Sequence, residues 1–211
     1  MGMKNFISLY DNAISHEECT SIIEYFESLK DCKDSSQFLQ MYCKKEGLTQ
    51  KGVDKFAKDS TDVAMSFNKP ELFVNQILMK CLAKYTRKYI KENIELKHIS
   101  TWGILDTYNL QRYYPEQGYA KLHCENCDVK TNKRVLAWMV YLNTVTDEGG
   151  TYFSNYDYKI DAVEGRLVIW PAYWTHVHRG VISKSQTKYI ATGWYEKIEE
   201  NTIIKKVRKS L

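Results

Sequence analysis

Long apolar runs are missing from this chain: no stretch approaches the ~20 consecutive apolar residues that span a bilayer. The opening Met1-Gly2-Met3-Lys4-Asn5-Phe6 has no extended apolar core followed by small residues, so it shows no secretory-signal pattern. Phe6 also stands where a myristoylation motif needs a hydroxyl. These absences set the expectation of a cytoplasmic protein with no membrane partner. A one-sided charge is missing too, since 30 Lys and Arg face 26 Asp and Glu for a net +4. Lys205, Lys206, Arg208 and Lys209 cluster in the tail, which is expected to be a solvated end; the excess is too slight to argue for nucleic acid. Six cysteines (Cys19, Cys32, Cys43, Cys81, Cys124, Cys127) form an even count, yet without a secretory signal they are expected to be reduced thiols. Repeats, low-complexity tracts and linkers are absent. With 44% hydrophobic residues over 211, a single domain spanning 1–211 with a full-sized core is expected.

What is present falls into two textures. Ser15-His16-Glu17-Glu18 has the form of a capping box, and Ile22, Ile23, Phe26 and Leu29 follow at helical spacing. Residues 30–69 are polar and mixed, with Asp59-Ser60-Thr61-Asp62 resembling a turn. A second helix is expected from near Pro70 to near Asn93, carrying Leu72, Phe73, Ile77, Leu78, Cys81, Leu82, Tyr85 and Tyr89 on a broad face. After about residue 100, short runs rich in Val, Ile, Thr, Tyr and Trp alternate with turn residues. Strands are expected over 107–114, 119–124, 134–143, 151–154, 166–170, 176–182 and 187–196. Helices first and strands afterwards make an α+β protein, with a helical support region over 1–100 and an antiparallel sandwich or barrel over 101–198.

Three histidines fall in the strand region: His123, His176 and His178. His123 and Glu125 are two apart, so on a strand both side chains leave the same face and converge on one ion. A third ligand must come from a distant strand, and His176 and His178 both offer it. Two imidazoles and one carboxylate, with positions left open for a chelating cosubstrate and dioxygen, make a facial triad for non-haem iron(II). A rival set, His123 with Cys124 and Cys127, has the donor chemistry of zinc but lacks a fourth ligand. His16, in a helix cap, and His98, in a connection, read as surface or packing residues.

From Leu110 onward the chain resembles the prolyl 4-hydroxylase-like branch of the Fe(II)/2-oxoglutarate oxygenases, including its small viral and phage versions. Tyr113-Tyr114-Pro115-Glu116-Gln117-Gly118-Tyr119-Ala120-Lys121-Leu122-His123-Cys124-Glu125 resembles the strand that ends in that family's H-x-D or, less often, H-x-E. Arg134 followed by Tyr141-Leu142-Asn143 resembles its R-…-YLN strand. Glu148-Gly149-Gly150-Thr151-Tyr152-Phe153 resembles its G-G-x-T-x-F turn, here one residue shorter. Glu164-Gly165-Arg166-Leu167-Val168-Ile169-Trp170-Pro171 resembles its G-x-x-x-x-F/W-P strand. Lys188 falls ten residues after His178 and Trp194 six further on, as in the family, and this spacing selects His178 over His176 as the distal ligand.

The resemblance implies a double-stranded β-helix (jelly-roll) core buttressed by N-terminal helices. It implies iron held by His123, Glu125 and His178, with 2-oxoglutarate as cosubstrate, dioxygen as oxidant and L-ascorbate among the cofactors. Lys188 would hold the 5-carboxylate as a point charge, helped by the Tyr114 phenol, with Tyr113 as its competitor and Thr151 nearby. Trp194 and Arg134 would shape the pocket mouth. Apart from the resemblance, alternation places His176 on the same strand face as His178, as a donor behind the ligands or a substrate contact. The polar loop 126–133, directly after the ligand strand, is expected to act as a substrate lid. The implied reaction hydroxylates an unactivated C–H bond while 2-oxoglutarate is decarboxylated to succinate. The implied substrate is peptidyl proline, with a free amino acid, another small molecule or a nucleobase as alternatives, in a host cytoplasm if the chain is viral. A catalytically silent binding module on the same fold is the alternative of a different class. Glu125 in place of Asp is the main departure from the family pattern.

Overall fold

The computed structural model describes residues 4–32, 41–47 and 52–198. The basic run Lys205, Lys206, Arg208 and Lys209, and the start Met1 to Met3, lie outside them. Two helices, α1 (His16–Ser28) and α2 (Phe73–Glu92), accompany ten strands: β1 (Ser8–Tyr10), β2 (Lys44–Glu46), β3 (Thr61–Ser66), β4 (Trp102–Tyr113), β5 (Arg134–Tyr141), β6 (Thr151–Phe153), β7 (Tyr158–Ile160), β8 (Leu167–Pro171), β9 (His178–Gly180) and β10 (Lys188–Lys197). All named pairings are antiparallel. A seven-stranded sheet runs β1-β8-β5-β10-β4-β3-β2, and a three-stranded sheet runs β7-β6-β9.

The expected capping box is present: Glu18 N–H donates to Ser15 Oγ and Ser15 N–H to the Glu18 carboxylate. α2 ends where expected, at Asn93, and begins just after Pro70. The first hundred residues are not only helical support, however. β1 joins the main sheet beside β8, and β3 pairs along β4 with Asp62 opposite Gln111. Thr61 and Asp62, expected in a turn, already belong to β3. The expected strand over 119–124 contracts to one bridge between His123 and His178. The one over 176–182 begins with a single 3-10 turn, Trp174–His176, before β9.

The main sheet is buried on both faces. Along β5, Leu136, Trp138 and Val140 pack toward the helices with Ile22, Phe26, Leu78 and Tyr108. The alternate residues Ala137, Met139 and Tyr141 pack with Phe153, Trp170 and Ile190 toward the small sheet. That two-sided burial is why β5 reads as a continuous apolar run. Gly193 on β10 lets the fully buried Trp138 ring approach, since a Cβ there would lie 2.7 Å from a ring carbon. Cys32 and Cys43 depart from the expectation of reduced thiols: beside the bridge between Asp31 and Lys44 their Cα atoms stand 5.4 Å apart, and they form a disulfide. Cys19, Cys81 and Cys124 are buried thiols. Among the described residues no helix is long and apolar enough to cross a membrane.

Candidate metal centre

The cavity between the two sheets is lined by the inner faces of β4, β5 and β10 and by β6 and β9. His123 and His178 exchange both backbone hydrogen bonds at 2.9 Å, so the two rings leave the bridge side by side, with centroids 4.4 Å apart. Each Nδ1–H donates to a backbone carbonyl, that of Lys121 for His123 (2.8 Å) and that of His176 for His178 (2.9 Å). This arrangement fixes the tautomers and turns both Nε2 atoms toward Glu125, at 3.7 and 3.4 Å from its Oε1. The three donor atoms lie within 4.8 Å of one another, and among the described residues this is the one cluster of metal-ligating side chains. The rival thiolate set is not assembled: Cys124 turns to the opposite face and donates to the Asn126 carbonyl.

Glu125 is tethered on its far side. Trp194 Nε1–H donates to Oε2 at 2.7 Å, and Arg134 Nη1 stands 3.5 Å from the same oxygen while its guanidinium stacks 3.7 Å over the Trp194 ring. Burial would raise the Glu125 pKa; the close approach of His178, His123 and Arg134 outweighs it and holds the carboxyl well below its usual range. Burial, with His178 beside it, pushes His123 down to about 4, so its ring is neutral and able to ligate at neutral pH. The residues present fit a ferrous ion: a compact two-imidazole, one-carboxylate set with oriented Nε2 atoms and one ionised carboxylate.

Lys188 lies further along the cavity. It is buried, donates to the Gly149 carbonyl at 2.9 Å and sits 4.8 Å above the Tyr113 ring, which faces it across the β4–β10 ladder. Its Nζ reaches Gly180, where a Cβ would come within 3.7 Å of it. Gly180 is two residues from His178 on β9, a separation of roughly 6.6 Å along a strand. Burial lowers Lys188 to about 8. Thr151 pairs with Gly180 on the same wall and shares a 2.7 Å hydrogen bond with Tyr141.

Two expected residues are elsewhere. Tyr114 is 46% exposed and stacks on Arg112, because strand alternation turns it outward when Tyr113 faces in. His176 is held in the 3-10 turn, where strand alternation does not apply, and its ring bonds to the Asn5 carbonyl and Thr175 rather than entering the cavity. The loop 126–133 is a stitched turn, with Thr131 bonded to Asp128 and Asn126 reaching the Asn132 and Arg134 carbonyls. Sequence reasoning missed Tyr119, whose ring stacks 3.7 Å from the His123 ring, and the buried Lys58–Asp62 pair on the cavity wall. The four-residue spacing of Lys58 and Asp62, with Asp62 entering an otherwise apolar strand, was the available signal.

The sequence model of the 2OG-Fe(II) oxygenase superfamily matches residues 108–196. A protein of Acanthamoeba polyphaga mimivirus, named as a candidate prolyl 4-hydroxylase, is 26% identical over 161 residues. That alignment covers 68% of this chain, which spans 60% of the relative's length. Among solved structures, the viral collagen prolyl hydroxylase of Paramecium bursaria Chlorella virus 1 in complex with 2OG superposes with a TM-score of 0.64 at 21% identity, covering 92% of this chain and 97% of that one. A Trichoplax adhaerens prolyl hydroxylase bound to a hypoxia-inducible-factor peptide gives 0.69 at 14% identity, covering 95% and 87%. A Pseudomonas putida prolyl-4-hydroxylase gives 0.64 at 14%, covering 92% and 94%. Sequence match, fold and donor set point the same way: residues 108–196 match the 2OG-Fe(II) oxygenase superfamily model, and the chain is similar in fold to prolyl hydroxylases.

Proposed function

We propose that this chain is an iron(II)- and 2-oxoglutarate-dependent dioxygenase that hydroxylates an unactivated C–H bond of peptidyl proline. One observation carries the reading: His123, Glu125 and His178 converge in the same cavity that buries Lys188, whose Nζ lies beside Gly180, two residues from His178. We read the two-sheet sandwich as a jelly-roll core. It forms one domain, because strands from both ends of the chain interleave in the main sheet.

Iron(II) with 2-oxoglutarate supplies the oxidative chemistry that amino-acid side chains lack, with succinate and carbon dioxide as co-products. The chain's own residues bind, orient and exclude water. His123, Glu125 and His178 would hold the metal on one side and leave its remaining positions to the cavity. Lys188, with the Thr151 hydroxyl on the same wall and Tyr113 facing it, would anchor the distal carboxylate of a five-carbon diacid. The ~6.6 Å between successive same-face residues of β9 matches that diacid's reach. Arg134 and Trp194 stack into one rigid edge that keeps Glu125 aimed. The proline assignment is supported by the prolyl hydroxylase likenesses; hydroxylation of a free amino acid is its rival.

The test is succinate formation from 2-oxoglutarate with iron(II), L-ascorbate and dioxygen, first alone and then with proline-containing peptides. Succinate in both conditions, rising with peptide and lost in His178→Ala, is expected. A folded, iron-loaded protein that forms no succinate is a silent binding module, and the proposal fails.

A further inference from the structure

His123 reaches the metal position from a stretch with little regular structure to hold it. Between the end of β4 at Tyr113 and the single bridge at His123, the chain forms no strand. Residues 57–59, far earlier in the chain, grip this stretch instead. Asp59 N–H donates to the Gly118 carbonyl at 2.9 Å, and Lys121 N–H to the Ala57 carbonyl at 3.2 Å. Gln117 Nε2–H adds a bond to Asp59 Oδ1 at 3.1 Å. Tyr119 lies between these grips, and its own carbonyl accepts from Gly180 N–H at 2.8 Å, two residues past His178. Its backbone is therefore tied to both arms that carry the histidines.

The Tyr119 ring stacks on the His123 imidazole, with centroids 3.7 Å apart and planes 10° from parallel. The two histidines differ in what encloses them. His178 is walled by Phe153 and Trp170, at centroid distances of 5.3 and 5.2 Å. Among the described residues, Tyr119 is the one ring besides His178 that packs on His123. The Nδ1–H bond to the Lys121 carbonyl directs one edge of the His123 ring but leaves it able to tilt about that bond. A flat neighbour in contact removes the tilt.

Tyr119 is held in turn. Lys58 Nζ stands 5.7 Å over its ring, inside the ~6 Å reach of a cation–π contact. Lys58 is buried and paired with Asp62 at 2.5 Å, and Asp62 accepts from Ser60 Oγ at 2.8 Å and Gln111 Nε2 at 3.1 Å. Two charges taken out of water regain only part of their hydration energy from each other, so such a pair is poor evidence for stability. Neither metal nor diacid binding uses it. Its geometric result is an ammonium fixed over the Tyr119 ring.

We propose that Tyr119 is a positioning residue of the metal centre: its ring is the plate that sets the His123 imidazole, and Lys58, aimed by Asp62, holds the plate in place. This rests on the metal-centre reading above and extends that centre to the N-terminal segment.

The plate is tested with and without metal on the full chain. In the metal-free protein the His123 ring protons are expected upfield of their ordinary NMR position, because they lie over an aromatic face. Tyr119→Phe keeps that shift and Tyr119→Leu loses it. Manganese affinity, read by calorimetry, is expected to match the wild type in Tyr119→Phe. It falls ten- to a hundredfold in Tyr119→Leu, the scale for partners behind a metal ligand. Lys58→Met lowers both readouts by less than Tyr119→Leu does. If Lys58→Met misfolds with Asp62 left unpaired, Lys58→Met/Asp62→Asn removes both charges and must show the same loss. Wild-type affinity in Tyr119→Leu, or equal loss in Tyr119→Phe and Tyr119→Leu, overturns the plate. So does a His176 signal, from outside the cavity, that moves as much as that of His123, since that marks a general packing defect. Unchanged readouts in both Lys58 variants remove Lys58 from the assembly. A wild-type protein that binds no manganese defeats the metal-centre reading instead, while the ring shift still decides whether Tyr119 sets His123.

Discussion

Trp194 Nε1–H donates to Glu125 Oε2 at 2.7 Å, while Glu125 Oε1 faces the two histidine Nε2 atoms. The carboxylate is thus divided between a tether and a metal-facing oxygen. Glu, one methylene longer than Asp, lets a side chain rooted in the bend after the His123 bridge reach both. Trp194→Phe keeps the stacking surface for Arg134 but deletes the donor. Metal affinity is expected to fall ten- to a hundredfold, the usual scale for partners behind a metal ligand. Glu125→Asp is expected to weaken binding as well, since the shorter carboxylate loses one contact or the other. Titration with manganese, followed calorimetrically, measures both; unchanged affinity in Trp194→Phe removes the tether from the argument.

Tyr113 and Tyr114 are adjacent yet occupy opposite sides of β4, and their variants should separate cleanly. Tyr113 is buried, faces Lys188 and donates to Gln111 Oε1 at 2.8 Å, with burial raising its pKa well above the ordinary value. Tyr113→Phe removes a neutral phenol from the diacid end of the cavity. The KM for 2-oxoglutarate is expected to rise about tenfold, as for one hydrogen bond to a charged group. Tyr114→Phe, on the exposed side against Arg112, is expected to change it less than twofold, within the range of surface substitutions. The reverse order would show that the phenol contact comes from the family position after all.

The candidate metal ligands were legible because a facial triad leaves a two-residue signature on one segment and a fixed spacing to Lys188 on another. Position along a strand was enough for Lys188, since β10 is regular from Lys188 to Gly193. Tyr114 and His176 were misplaced for different reasons: the family position of Tyr114 falls just past the end of β4 and is turned outward when Tyr113 faces in, whereas the alternation expected of His176 is broken by the 3-10 turn at 174–176. The three N-terminal strands were obscure because two have only three residues and β3 carries charge at Asp62. β1 and β3 depend on pairing with β8 and β4, more than forty residues away, and β2 depends in turn on β3, which local pattern does not encode. The Lys58–Asp62 pair left only its four-residue spacing as a trace, because it is the fold that turns a surface-looking Lys and Asp inward.

Gly193 tests the packing that places the ladder from Lys188 to Trp194. A Cβ at Gly193 would lie 2.7 to 2.9 Å from three atoms of the fully buried Trp138 indole. Gly193→Ala is therefore an overpacking change and is expected to destabilise the protein by about 1–3 kcal/mol. Trp138→Phe opens room for the added methyl, so the double variant should recover part of that loss. Denaturant midpoints of the four proteins in this cycle check it; strict additivity would mean that the two residues do not compete for space.

As the proposed anchor of the cosubstrate carboxylate, Lys188 would make 2-oxoglutarate binding depend on pH in a definite direction. Burial lowers its folded-state value to about 8, against 10.5 for an ordinary lysine. Between those values the unfolded chain binds more protons than the folded one, so this residue's contribution to stability increases as pH rises through that window. Below about 8 the buried charge costs roughly 3 kcal/mol in the free protein, at about 1.4 kcal/mol per pK unit. A bound carboxylate reverses the balance, because only the ammonium form pairs with it, and its presence raises the Lys188 pKa. Binding therefore takes up a proton near and above pH 8, and affinity is expected to fall toward tenfold per pH unit once Lys188 is deprotonated in the free protein. Calorimetry of an inert 2-oxoglutarate analogue with manganese, in two buffers of different ionisation heat, reads the proton uptake directly. Lys188→Met should abolish both the uptake and most of the affinity, whereas Lys188→Arg, always charged, should bind without the pH dependence. A wild-type affinity that stays flat from pH 7 to 9.5 would place the cosubstrate carboxylate somewhere other than Lys188.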